Sequence, residues 1–111
     1  MDVQSIVKEL QLSVKCRPDR LGADVTGGFV GDLLSDVISN SAAGHIWITR
    51  QTHQNIIAVA SLKDHAGIII VQGAEPEADT IEKAAAEGIP LMVSSMQSFE
   101  LVGKIYRLLN S

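Results

Sequence analysis

Helix-like and strand-like segments alternate along this 111-residue chain. The alternation predicts a three-layer α/β/α fold around a mainly parallel, four-stranded sheet. Two further observations agree. Gly67-Ile68-Ile69-Ile70-Val71 is continuously apolar and β-branched, as a strand buried on both faces requires. Glu77 to Glu87 is Ala-rich and stops at Gly88, the residue type that most readily ends a helix in the left-handed conformation.

The first elements are short. Val3 to Leu10 carries apolar residues at helical spacing, and Leu12 to Cys16 alternates like a strand with one covered face. Arg17 to Gly22 is a loop marked by Pro18, Asp19 and Gly22. From Phe29 to Ile38, residues 29, 33 and 37 form one stripe and 30, 34 and 38 its neighbour. This pattern predicts an amphipathic helix entered through Thr26-Gly27-Gly28. Ile46 to Thr49 reads as a strand, Asn55 to Asp64 as a helix and Gly67 to Val71 as the buried strand. The Glu77–Glu87 helix, a strand at Leu91-Met92-Val93 and a helix from Ser98 to Leu109 complete the chain. In that last helix Phe99, Val102, Tyr106 and Leu109 form one apolar stripe, and Leu101, Ile105 and Leu108 a second. Two stripes exceed what one sheet face covers, so a homodimer or a docked partner enzyme is expected.

Composition narrows the classes. Apolar residues make up 46% and charged residues 20%, which predicts a folded chain of one domain over residues 1–111. The net charge of −4 argues against nucleic acid as a partner. No apolar run reaches the roughly 18 residues of a membrane span, so no membrane partner is expected. The start, Met1-Asp2-Val3-Gln4-Ser5, lacks a basic segment followed by an apolar one, as a secretory leader would have. A single cysteine, Cys16, excludes an internal disulfide, and together these features suggest a cytoplasmic setting. His45, His53 and His65 have no metal-ligand spacing, and no particular cofactor is indicated.

In an open α/β sheet, ligands bind beyond the carboxyl ends of the strands. Four parallel strands would bring four groups to one rim: Asp24-Val25-Thr26-Gly27-Gly28, Thr49-Arg50-Gln51-Thr52-His53-Gln54-Asn55, Gln72-Gly73, and Ser94-Ser95. Thr26 is suited to cap a helix, and two glycines let a backbone approach a ligand closely. A helix start also offers bare N–H donors to an anion. Capping alone and ligand binding are both open readings of these residues. Asp24 would repel a phosphate, or would bond loop amides or a ligand hydroxyl instead. His53 can cap its own loop or touch a ligand, and Arg50 is the obvious cation of the rim. Asp32 and Asp36 read as a solvated pair on the expected helix.

Asp24-Val25-Thr26-Gly27-Gly28, continuing through Phe29 to Val37, resembles the signature of the DRTGG domain family. Trp47 to Ala60 and the strand ending in Val71-Gln72-Gly73 are similar to further blocks of it. The resemblance runs from about Leu12 to Leu109. It implies an α/β module like the N-terminal domain of HPr kinase/phosphorylase, regulatory or ligand-sensing and frequently dimeric. Such domains occur beside CBS domains in some pyrophosphatases, and small free-standing members are often encoded near iron-only hydrogenase components. Val25 stands where the family's namesake motif has Arg, so no contact of that Arg carries over.

The expected function is therefore a non-catalytic regulatory module that binds a small anionic or nucleotide-like ligand or docks a partner enzyme. The expected ligand set is Asp24, Thr26, Gly27, Gly28, Thr49, Arg50, Gln51, Thr52, His53, Asn55, Ser94 and Ser95. An oligomerisation or scaffold domain without a ligand is the alternative. A small phosphotransfer or hydrolytic enzyme using Asp24 or His53 is the third reading. A kinase of the HPr class needs G-x-x-x-x-G-K-[ST] to cradle phosphates. The chain has no such pattern, since Gly103-Lys104 is followed by Ile105.

Overall fold

The computed structural model describes residues 1–111. Its helices are α1 (Val3–Leu10), α2 (Leu34–Asn40), α3 (Asn55–Leu62), α4 (Ala78–Glu87) and α5 (Ser98–Leu109). Its strands are β1 (Ser13–Cys16), β2 (Gly27–Val30), β3 (His45–Thr49), β4 (Gly67–Ile70) and β5 (Leu91–Val93). The sheet has five strands in the order β1-β5-β4-β3-β2, one more than expected. Strands β2 to β5 run parallel, and β1 pairs antiparallel with β5 at one edge.

The extra strand corrects the expected helix from Phe29. Gly27–Val30 pairs in register with His45–Ile48, and the helix begins only at Leu34. Three glycines in five residues, Gly27, Gly28 and Gly31, weaken a helix, while Phe29 and Val30 suit a strand. The indole N–H of Trp47 then donates to the Gly31 carbonyl at 2.9 Å, fixing the strand's exit. The other elements lie where the pattern places them. Helices α4 and α5 begin within one residue of expectation, and Gly88 closes α4 with φ 74°.

Two apolar cores flank the sheet. One joins α1 and α5 to Ile46, Ile48, Ile69 and Met92; the other joins α2, α3 and α4 to Trp47, Ile68, Ile70 and Leu91. Alternate residues of each central strand feed opposite cores, which is why those strands read as unbroken apolar runs. Helices α2, α3 and α4 share one face and link successive neighbouring strands, as crossovers of one hand require. No helix is long and apolar enough to cross a membrane.

Candidate functional site

Because β1 is antiparallel, its end lies at the opposite rim from the ends of the other strands. The chain then enters β2 from that same amino rim. Thr26-Gly27-Gly28 therefore begins a strand and caps no helix. The Thr26 hydroxyl donates to the Ala43 carbonyl at 3.3 Å, and its N–H donates to the Gly44 carbonyl at 3.1 Å. A Cβ on Gly27 would stand 3.1 Å from the His45 ring, so this glycine serves close packing of two strands. Asp24 is exposed in the preceding loop, and Val25 is buried in the α1/α5 core. The single mouth expected to join Asp24, Thr26, Gly27 and Gly28 to the later segments is thus corrected: the length of the strands separates them.

The carboxyl rim holds Thr49 to Asn55 and Ser94-Ser95, and adds Asp32. Asp32 follows β2 and is not on a helix. One Asp32 carboxylate oxygen accepts from the Thr49 hydroxyl and from the Arg50 N–H, each at 2.8 Å. The Thr49 oxygen accepts in turn from the Gln51 N–H at 3.1 Å. The Gln51 carboxamide donates to the Asp32 carbonyl at 2.9 Å. Three of these bonds end on Asp32 and lock the ends of β2 and β3 together, and the fourth braces the Thr49–Gln51 turn. Asp32, Arg50, Gln51 and Thr52 line a polar cleft of about 220 Å³. The Arg50 side chain is exposed and makes no hydrogen bond or ion pair within the chain.

The rest of the segment prepares α3. The His53 ring accepts from the Asn55 N–H at 3.1 Å through Nδ1, so it caps its loop and leaves Nε2 free. The Thr52 carbonyl accepts from the Thr80 hydroxyl at 2.7 Å and from the Glu77 N–H at 3.2 Å. These bonds bring the start of α4 across the rim. Ser94 and Ser95 lie beyond it, in a separate cavity of about 400 Å³ between the ends of β4 and β5 and the α1–β1 turn. They are not the floor of the Arg50 cleft.

Sequence reasoning missed Asp32 because it assigned that residue to a helix surface. The usable signal was an acid directly after the glycine-rich, strand-capable Gly27–Gly31 stretch. His65 lies two residues beyond Lys63, the C-cap of α3. It is buried, its Nε2 lies 2.8 Å from the Ser41 hydroxyl, and its Nδ1 has no partner. Burial, with positive neighbours His45 and Lys63, lowers its pKa from 6.5 to about 4. Burial likewise raises the Cys16 thiol, which makes it a poor nucleophile. No group of three or more His, Cys, Asp or Glu side chains lies close enough together to hold a metal ion. Lys104 sits within α5 and pairs with Glu100 at 3.2 Å.

No family model matches the chain, and no curated protein matches it. A solved structure does. It is the crystal structure of the CBS and DRTGG domains of the regulatory region of Clostridium perfringens pyrophosphatase, complexed with the activator diadenosine tetraphosphate. The TM-score is 0.73 over 96% of this chain. The fold is DRTGG-like. Sequence identity is 18%, so the likeness is one of fold, and this chain spans 45% of that one.

Proposed function

We propose that this DRTGG-like domain is a non-catalytic regulatory module that senses a small anionic, nucleotide-like ligand at its carboxyl rim. The observation that carries the reading is the cleft of Asp32, Arg50, Gln51 and Thr52. Its backbone is locked by the Asp32 carboxylate, while the Arg50 guanidinium stands unpaired beside it. A planar guanidinium suits a phosphate oxygen pair, and a carboxylate suits sugar hydroxyls. A nucleotide carries both groups. Thr52, His53 through its free Nε2, and Asn55 would complete the wall, and a fixed frame keeps the ordering cost of binding low. The regulatory region, part of which shares this chain's fold, was solved with a nucleotide activator, which supports the same class of ligand.

Calorimetric titration with ATP and with diadenosine tetraphosphate tests this. Saturable binding is expected, weakened roughly tenfold or more by Arg50→Ala, since a charge-assisted bond to phosphate is lost. Absence of binding, or equal affinity in the variant, would overturn the reading.

A specific observation also favours self-association, with or without a ligand. Phe99 is 94% exposed, Tyr106 70% and Val30 51%. These three, with Val102, line one continuous apolar groove of about 520 Å³ between α5 and the unpaired edge of β2. A stripe and a strand edge that are both uncovered suit a two-fold contact with a second copy. Sedimentation should find a dimer, and Phe99→Asp should return it to the monomer. A monomeric wild-type chain would remove both the dimer and the ligand-free scaffold reading.

A further inference from the structure

Strands β4 and β5 are parallel neighbours, yet their carboxyl ends lead to opposite layers. The segment after β4 runs to α4, and the segment after β5 runs to α5 on the other face. In an open α/β sheet this reversal is where a crevice forms. The two segments bond to each other, Gln72 N–H to the Met96 carbonyl at 2.9 Å and Gly73 N–H to the Ser94 carbonyl at 3.0 Å. The crevice opens beside those bonds, with the α1–β1 turn as its outer wall, and its volume of about 400 Å³ suits a small molecule.

We propose that this crevice is a second small-molecule site and that it takes an uncharged purine base or nucleoside. Three features of the lining define the class. First, its one ionisable group, Glu75, is paired with Lys15 at 3.1 Å, so neither a phosphate nor a cation meets an unpaired charge. Second, Leu10, Val93 and Met96 offer an apolar surface on which a flat ring packs, and a thioether makes favourable contacts with aromatic rings. Third, the polar groups have capacity to spare. The buried Ser94 hydroxyl accepts from the Met96 N–H at 3.1 Å, and its own proton has no acceptor in the chain. The Gln11 side chain makes no hydrogen bond in the chain. A carboxamide both donates and accepts, which matches the N6/N7 edge of adenine. This site shares no residue with the Arg50 cleft and stands or falls without it.

The test is an amide-resolved NMR titration of the full chain with adenosine, and separately with inorganic phosphate. Adenosine should shift amides of residues 10–13, 73–75 and 93–96 saturably, and phosphate should leave them in place. Gln11→Ala should weaken adenosine roughly five- to tenfold through the lost hydrogen bonds. Ser95→Trp, at an exposed position, should fill the crevice and abolish binding with the fold intact. Arg50→Ala should leave adenosine affinity unchanged. Adenosine shifts confined to residues 32 and 49–53, no saturable shift, or full affinity in both crevice variants would each overturn the proposal.

Discussion

The two rims of the sheet carry similar small polar residues, yet they do different things. At the amino rim Thr26 bonds to the α2–β3 turn, the His45 ring accepts the Ala42 N–H, and His65 reaches Ser41. Those residues close the fold. At the carboxyl rim one aspartate accepts three bonds, a fourth runs from the Gln51 N–H to Thr49, and the adjacent Arg50 side chain takes part in none of them. Residue type therefore does not distinguish the proposed ligand site from a structural seam. What does is access: the Arg50 guanidinium is exposed beside a fixed frame, whereas the unpartnered His65 Nδ1 is buried.

This contrast can be broken most sharply at Gly44. It has φ 80°, and an added Cβ would stand 2.5 Å from the Thr26 Oγ1. Gly44→Val should cost roughly 2–4 kcal/mol, because backbone strain and a clash combine. Urea denaturation measures this, and an unchanged midpoint would mean that the amino rim is not closed as described. Asp32→Ala comes next. It strips the Thr49 hydroxyl and the Arg50 N–H of their acceptor, at about 1–3 kcal/mol. The same variant should lose nucleotide binding, whereas Arg50→Ala should lose binding at little cost in stability. Equal stability losses in the two variants would erase the distinction between frame and free group.

A further effect is a gradual one with pH. The His65 pKa falls from 6.5 to about 4 in the folded chain. The unfolded chain therefore takes up the proton first as pH drops. Stability from this group is complete above about pH 6.5, declines toward pH 4, and changes no further below. Melting temperatures across that range should show the decline, flattened in His65→Gln. A decline of equal size in the variant would assign it to other groups.

Much of the fold was legible because periodicity reports burial directly. Gly67–Val71 had to be a central strand, since only a strand covered on both faces is apolar at every position. Ser98–Leu109 had to be a helix, and its excess of apolar residues survives in the structure as exposed Phe99 and Tyr106. The Thr49–Asn55 segment was legible as part of the carboxyl rim in the same way, because it is the polar stretch directly after an apolar strand.

Phe29 to Ile38 was misread because its residues satisfy a helical stripe, while the strand they begin with depends on pairing with His45–Ile48, beyond the whole of α2. No local pattern contains that partner. The direction of β1 escaped for the same reason, and it decided which rim received Thr26-Gly27-Gly28. Sequence by itself determined most of the helices, where the chain is buried and which short segments are polar. Only the tertiary structure decided which of those segments face one another, because strand pairing and strand direction are set by contacts between residues far apart in the chain.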